Sequence, residues 1–298
     1  MRLALIGVPY TSSGATGGEA RAPDALRAAG LLEALREADI VDYGNVSFAA
    51  PTPDRDLVTG IIAPESLAGM VLAVRDAVRR AFAEDRFPVV VGGECPLLLG
   101  CLAAARDTFG QVGLLFVDGH EDAWPPRSSA TGEAADMEIG FALGLTRPAG
   151  IAALAELLPL ISVDNTVVLG PRDRDEIAAA DIPSVASLVT FRDDEALHNR
   201  DHAAMVAAEA PRLAGGSGRW WFHLDLDVLA SDALPAVRYP QPGGLDWLEA
   251  EAITGAALRT PGLVGWNITI YNPDLDPDAS GARRIVAFLE TVVARMAP

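Results

Sequence analysis

The chain has few cysteines, a shortage of basic residues and no long apolar run, and each shortage excludes a class of protein. Only two cysteines occur among its 298 residues. Cys95 and Cys101 are six apart in one predicted helix, point to different faces and make a poor disulfide pair, which fits a reducing compartment. Lys and Arg number 23 against 41 Asp and Glu, and the net charge of −18 argues against nucleic acid as a partner.

No apolar run reaches the roughly 18 residues that a membrane span needs, and an acidic surface does not suit anionic membranes. The opening MRLALIGVPY lacks a basic leader and fits a first strand better than a signal peptide. We therefore expect a cytoplasmic protein. Half of the residues are hydrophobic and no linker, repeat or low-complexity segment divides the chain, which predicts a single domain over residues 1–298.

Apolar runs of strand length alternate with longer amphipathic stretches along the chain. Runs such as VVV and LLFV are apolar without alternation, which is typical of strands that helices cover on both faces. The pattern predicts an α/β fold, a three-layer αβα sandwich with a mainly parallel sheet of about eight strands. The predicted strands are 2–7, 40–42, 88–91, 113–117, 166–169, 188–191, 220–224 and 263–268. The predicted helices are 22–37, 64–84, 95–107, 136–143, 151–158, 195–213, 245–258 and 280–297.

Unusual polar residues follow three of these strands. VGGEC ends the third predicted strand, Asp118, His120 and Asp122 alternate after the fourth, and Asp225 and Asp227 alternate after the seventh. Ligands of open α/β sheets bind outside the carboxyl ends of strands, so we expect the three clusters to share one edge. So many carboxylates repel one another unless divalent cations such as manganese, iron, zinc or nickel are bound. A single aspartate at a strand end is often only a helix cap or a turn residue. Such a role does not explain well why polar clusters follow three strands.

These motifs resemble those of the arginase/agmatinase family, the ureohydrolases. IGVPYTSSGATGGEARAPDALRAAGL is similar to the family's GPxxIRxxGL region, VGGEC to its GGDH motif and VDGHED to its DAHxD motif. HLDLDVLASDALPA resembles SxDxDxxDP, and YNPDLDPD resembles EVNPxxD. The family fold is an αβα sandwich, in agreement with the strand pattern.

The resemblance implies a binuclear metal site, most commonly with manganese. Cys95 takes the position of a histidine ligand, and its sulfur favours zinc, iron, cobalt or nickel. The first metal's implied ligands are Cys95, Asp118, Asp122 and Asp225. The second metal's implied ligands are Asp118, His120, Asp225 and Asp227, so that Asp118 and Asp225 bridge. Alternatively, Cys95 packs in the core as a small buried hydrophobic residue.

The resemblance also implies the reaction. A metal-bridging hydroxide attacks the carbon of a guanidino, amidino or hydroxyguanidino small molecule, a C–N bond breaks, and urea or a related amide is released. Asp122 would pass the proton to the leaving amine. The implied partners are a small cationic substrate and further copies of the chain, as a trimer or hexamer.

The chain departs from the family pattern at three substrate positions. Trp124 stands where the family has an asparagine that contacts the substrate's α-carboxylate. Ala135 stands where the family has a proton-transferring histidine, and Ile270 where it has a glutamate that pairs with the guanidinium. We therefore expect a substrate other than arginine or agmatine. Glu133 and Glu138 are the nearest replacement carboxylates for catalysis and substrate binding, and Trp124 offers a cation–π face. For Trp124, Glu133 and Glu138 the alternative is packing or solvation of a loop.

Other interpretations stay open at this point. The chain could be a non-catalytic metal-binding or regulatory relative, or a one-zinc deacetylase, although only His120 and His223 lie near the clusters. His223 either supports a ligand or fills the core. His198 and His202 have the i,i+4 spacing of a helical zinc site, but a solvated helix face explains them better. Asp232 fits a turn or supporting residue.

Overall fold

The structure, a computed structural model, describes residues 2–295, and its centre is one eight-stranded parallel sheet. The strands are β1 (Arg2–Val8), β2 (Asp39–Asn45), β3 (Phe87–Gly92), β4 (Gly113–Val117), β5 (Thr166–Leu169), β6 (Thr190–Arg192), β7 (Trp220–Asp225) and β8 (Leu263–Thr269). Their order is β2-β1-β3-β8-β7-β4-β5-β6, with every pairing parallel. The predicted fold class is confirmed.

Helices cover both faces of this sheet. They are α1 (Ala22–Ala28), α2 (Leu31–Ala34), α3 (Pro64–Ala83), α4 (Leu97–Phe109), α5 (Glu138–Ala142), α6 (Ala152–Ala155), α7 (Arg174–Ala179), α8 (Asp194–Leu197), α9 (His202–Leu213), α10 (Trp247–Arg259) and α11 (Ser280–Ala294). No helix within residues 2–295 is long and apolar enough to cross a bilayer.

The central strands send alternate side chains into two hydrophobic layers. On β4, Leu115 and Val117 pack into the layer that α1, α9, α10 and α11 cover, whereas Leu114 and Phe116 pack into the layer that α3, α4 and α5 cover. Because both faces of a strand are buried in this arrangement, its sequence is apolar at every position. The polar clusters lie at the carboxyl ends of these strands, and the candidate site is at this edge of the sheet.

Residues with left-handed backbone break two of the predicted helices. The predicted helix 22–37 is divided at Gly30, whose φ is +97°. The predicted helix 195–213 is interrupted at Asn199, with φ +57°, before the Asp201 carboxylate caps α9 by accepting from the Ala204 N–H. A left-handed residue ends a helix although the apolar periodicity continues past it, so periodicity alone missed both breaks.

Smaller differences concern element ends. α4 begins at Leu97, so Cys95 lies in the turn before the helix and not inside it. α7 was not predicted, because its six residues are too few to show a helical period. The last predicted helix, 280–297, ends at Ala294, and residues 296–298 lie outside the described residues.

Candidate metal centre and adjoining cavity

Four neighbouring strands, β3, β8, β7 and β4, bring the predicted motifs to one edge. β3 leads into the glycine turn before Cys95, β4 ends before Asp118, and β7 ends at Asp225. β8 lies between β3 and β7, and its Thr269 pairs in register with Asp225. The Thr269 hydroxyl lies 3.0 Å from Cys95 Sγ. β8 therefore supplies a wall of the site that the motifs alone did not predict.

The double glycine before Cys95 is required by close packing against the chain after β1. A Cβ on Gly93 would lie 1.8 Å from the carbonyl oxygen of Tyr10. The Gly93 N–H donates to the Val8 carbonyl at 2.9 Å, and the Glu94 N–H donates to the Tyr10 carbonyl at 3.1 Å. This turn fixes Cys95 at the edge of the sheet.

One set of converging donor atoms, the outer group, consists of Asp118, His120 and Asp227, whose ligand atoms all lie within 4.8 Å of one another. His120 Nδ1 lies 3.0 Å from Asp227 Oδ2. The Gly119 N–H donates to Asp227 Oδ1 at 3.0 Å, and the His120 N–H donates to Asp118 Oδ1 at 2.8 Å. Burial alone would lower the pKa of His120, but attraction and hydrogen bonding to Asp227, together with the charges of Asp118 and Asp173, outweigh burial and raise that pKa to about 9.

A second set, the inner group, consists of Cys95, Asp118, Glu138 and His223, again with ligand atoms within 4.8 Å. All four side chains are buried, and the Cys95 thiol donates to Asp225 Oδ2 at 2.6 Å. Asp118 Oδ2, His223 Nε2 and both Glu138 oxygens have no hydrogen-bond partner among residues 2–295. Buried polar atoms are normally paired, so the unpaired carboxylate oxygens of Asp118 and Glu138 fit a bound cation.

The pKa values in and beside the inner group reflect the close approach of several acidic side chains. Burial, and then repulsion by Asp225, raises the pKa of the Cys95 thiol well above its ordinary value. Burial raises the pKa values of Glu138 and Asp225 in the same direction, with repulsion by Asp118 and Asp227 respectively as the next cause. The raised pKa values favour the protonated forms of these groups in the absence of a cation, and a divalent cation would favour their ionised forms.

Asp122 and Asp225 lie beside these groups without belonging to either. Asp225 Oδ1 accepts from the Asp227 N–H at 2.6 Å, while its other oxygen faces Cys95. Asp122 has a left-handed backbone, with φ +44°, and burial followed by repulsion from Glu138 raises its carboxyl pKa. The predicted ligands that converge in the two groups are Cys95, Asp118, His120 and Asp227.

An acidic cavity of about 150 Å³ opens onto this edge. Of the residues predicted to meet the substrate or to depart from the family pattern, Trp124, Glu133, Ala135 and Ile270 line it. Ile270 has φ +74°, a strained backbone for a β-branched residue, and its N–H donates to the Gly93 carbonyl at 2.7 Å. Other acids on the wall are Glu19, Glu94, Asp173 and Glu176. The small volume and negative charge suit a small cationic molecule.

Two polar residues of this cavity, Arg238 and Tyr239, were missed by the sequence analysis. Arg238 lies 3.3 Å from Glu133 Oε1 and 2.9 Å from Glu19 Oε2, and the Tyr239 hydroxyl donates to Glu133 Oε2 at 3.0 Å. The signal was a base next to an aromatic residue, VRYPQP, in the loop after an aspartate-bearing strand end. Glu133 is thus fixed in the cavity wall by two partners.

Glu138 lies behind the cavity and not in its wall. As the first residue of α5 it is fully buried beside Cys95 and Asp118. Its prediction as a substrate contact does not agree with this placement, because the carboxylate has no surface toward the cavity. The Ile139 N–H donates to the Asp122 carbonyl at 3.0 Å, which holds the start of α5 against the inner group.

Two residues after β5 support both turns of the site, and the sequence analysis missed them too. Arg172 Nη2 donates to the Asp227 carbonyl at 2.5 Å. Asp173 Oδ2 accepts from the Glu121 N–H at 3.1 Å, and burial raises the Asp173 pKa to about 6. These bonds connect the DGHED loop and the turn after β7 to the same strand end.

The pair His198 and His202 takes no part in either group. His198 directly follows α8 and His202 begins α9, so the two residues do not share one helix. His202 is buried with Nε2 2.9 Å from the Leu197 carbonyl, whereas His198 is partly exposed beside Asp194. The break at Asn199 removes the helical spacing on which a zinc site would depend.

The whole chain matches one protein family, since the sequence model of the Arginase family covers residues 1–294. The chain belongs to the arginase family. Members of the arginase family are hydrolases of C–N bonds in linear amidines. Arginase-1 of Sus scrofa is 28% identical over 290 residues, which are 95% of this chain and 89% of that protein. Arginase of Bacillus caldovelox is 26% identical over 300 residues, 96% of each chain.

Solved structures share the arginase-family fold. Native arginase from Bacillus caldovelox superposes with a TM-score of 0.84 at 22% identity and covers 98% of each chain. Formimidoylglutamase from Bacillus subtilis superposes with a TM-score of 0.74 at 18% identity, over 99% of this chain and 87% of that one. At these identities the likeness concerns the fold.

Proposed function

We propose that this chain is a metal-dependent hydrolase that cleaves a C–N bond of a small guanidino or amidino compound and releases urea or a related amide. The observation that carries the proposal is that the outer and inner groups share Asp118 at the sheet edge, where an acidic cavity opens. The proposal treats residues 1–298 as one catalytic domain, because strands from both ends of the chain meet in one sheet.

The metal centre is proposed to use the six predicted ligand positions. Two divalent cations there would supply Lewis acidity and an activated water at neutral pH. The proposed ligands are Cys95, Asp118, His120, Asp122, Asp225 and Asp227. Manganese is the metal implied by the family resemblance, and the Cys95 sulfur favours zinc, iron, cobalt or nickel.

Proton transfer is assigned to Asp122. Its carboxyl borders the cavity, and burial, with repulsion by Glu138, raises its pKa well above the ordinary value. Beside a bound cation this carboxyl would instead be ionised, so that it could take a proton from water and pass it to a leaving amine.

Substrate binding is assigned to the cavity wall. Glu133, held by Arg238 and Tyr239, presents negative charge, and Trp124 offers an aromatic face to a cation. Ile270 and Ala135 line the same wall but can neither pair with a guanidinium nor transfer a proton. This favours a substrate other than arginine, and hydroxyguanidino compounds belong among the candidates.

The alternative is a catalytically inactive member of the family with a structural or regulatory metal. The observation in its favour is that Glu133 is already paired with Arg238, while Ala135 and Ile270 supply no replacement acid or base. In this alternative the protein binds the metals but turns over no substrate.

Metal analysis combined with product detection tests the proposal. Protein stripped with a chelator is reloaded with manganese, zinc, iron, cobalt or nickel and incubated with guanidino, amidino and hydroxyguanidino compounds, followed by urea and ammonia assays. We expect about two ions per chain. Turnover should be lost in Asp118→Asn and kept in Glu251→Gln, a distant buried residue paired with Arg284. Full metal loading without any product across the panel would favour the inactive alternative.

A further inference from the structure

Glu138 carries a buried carboxylate that none of the six predicted ligand positions explains. Its side chain is 0% exposed, and neither oxygen has a hydrogen-bond partner among residues 2–295. Within the same residues no Lys or Arg forms an ion pair with it. A buried carboxylate that lies beside other acids, here Asp118 and Asp122, is strongly destabilising unless it is protonated or bound to a cation.

The backbone around Glu138 fixes its position. The N–H groups of Ile139 and Gly140 both donate to the Asp122 carbonyl, at 3.0 and 3.3 Å. A Cβ on Gly140 would lie 3.3 Å from Ala123 Cα, so α5 packs closely on the segment that carries Asp122. Glu138 is thereby held with a carboxylate oxygen within 4.8 Å of Cys95 Sγ.

His223, the fourth member of the inner group, presents an N–H group at Nε2 and does not bind the metal. The Trp221 Nε1–H can only donate, and it bonds Asn267 Oδ1 at 2.7 Å. Asn267 Nδ2 must therefore donate to His223 Nδ1, at 2.6 Å, which leaves the ring proton on Nε2. Because a protonated nitrogen cannot bind a metal, Nε2 acts as an N–H group 3.5 Å from Asp118 Oδ2.

We propose that Glu138 is a metal ligand beyond the six predicted positions and joins Cys95 and Asp118 at the inner metal, with His223 positioning Asp118. Donor atoms at bond lengths of about 2.0–2.3 Å from one ion lie within about 4.6 Å of one another, close to the spacing seen here. One thiolate with carboxylates suits zinc, cobalt or iron better than manganese. The assignment rests on the proposed function for the presence of a metal centre, and it does not depend on hydrolysis.

Cobalt(II) binding to the metal-depleted full-length protein tests this assignment. A cobalt–thiolate bond gives a charge-transfer band, and the d–d bands report the coordination of the ion. We expect about two cobalt ions per chain, one of them with the thiolate band. Glu138→Gln, which keeps the shape and removes the charge, should weaken the thiolate-linked ion at least about tenfold and change its d–d bands. Cobalt binding at the outer group should persist.

Two further variants calibrate the measurement. Cys95→Ser should abolish the thiolate band. Glu251→Gln, a matched change at a buried glutamate of α10, should leave both cobalt affinities and the spectrum unchanged.

Wild-type affinity with an unchanged spectrum in Glu138→Gln would overturn the assignment. If circular dichroism shows that this variant does not fold, Glu138→Asp takes its place. Its carboxylate is drawn back by one methylene, so weaker binding and shifted bands are expected, and wild-type behaviour again counts against the assignment. Turnover of a guanidino compound together with wild-type cobalt binding in Glu138→Gln rejects only this inference. The expected cobalt result without any turnover rejects only the proposed function.

Discussion

Replacement of Arg172 by methionine tests how strongly the segment after β5 supports the metal centre. Its guanidinium donates to the carbonyls of Asp227 at 2.5 Å, Leu229 at 3.2 Å and Val228 at 3.3 Å. Methionine keeps an apolar stem of similar length and removes all three bonds. The change therefore removes the hydrogen bonds to the turn after β7 together with a positive charge that favours the ionised form of Asp227.

The expected loss in the free energy of unfolding follows from these contacts. One short bond from a charged donor stabilises by about 1.5–3 kcal/mol, and the two longer bonds add less, so we expect a loss of about 2–3 kcal/mol. At about 2 °C per kcal/mol for a chain of this size, the Tm of the metal-free protein should fall by about 5 °C. Because the Asp227 turn also holds the outer group, metal affinity should fall by about 10- to 100-fold.

Differential scanning calorimetry and metal titration of Arg172→Met measure both effects. Arg283→Met is the matched control, because the exposed Arg283 makes one bond to a surface carbonyl, that of Asp278 at 3.0 Å. The control should stay within about 0.5 kcal/mol of wild type. Equal Tm values and equal metal affinities for the two variants would refute the reasoning.

Two further predictions concern the glycine turn and the protons of the metal-free site. Gly93→Ala places a Cβ against the Tyr10 carbonyl and should destabilise the fold by at least about 3 kcal/mol in urea unfolding, whereas Gly69→Ala, in ordinary contact on α3, should be neutral or stabilising. The pKa values of Asp122, Asp225 and Glu138 are raised in the folded, metal-free protein. The contribution of these groups to stability is therefore fully present below the unfolded carboxyl pKa of about 4 and is lost as the pH rises through the folded pKa values. The Tm gap between metal-loaded and chelated protein should therefore widen from about pH 5 to about pH 8, and a constant gap would contradict the assigned protonation.

Local sequence was sufficient to predict the parallel sheet and those candidate ligands that directly follow strands. Asp118, His120 and Asp227 lie within a few residues of buried strand ends, so the sheet itself places them together. The helix breaks at Gly30 and Asn199 were missed because they depend on single backbone conformations and not on apolar periodicity. Ala135 and Ile270, which the family resemblance puts at substrate positions, line the cavity.

Partners that are distant in sequence could not be predicted in this way. Arg238 meets Glu133 and Glu19 across more than a hundred residues, and Arg172 reaches the turn after β7 from a different strand end. Neither contact has a local pattern, since each depends on the order of the strands and the course of two loops.

The sequence by itself determined the strand pattern, the acidic character and the chemistry at three strand ends, because each follows from residues next to one another in the chain. Only the tertiary structure decided that β8 lies between β3 and β7, that His223 carries its proton on Nε2, and that Glu138 faces Cys95. The physical reason is that burial and long-range hydrogen bonds fix the direction of a side chain. Glu138, by its sequence only a replacement carboxylate near the DGHED loop, comes to lie beside Cys95 only because α5 packs against the segment that carries Asp122.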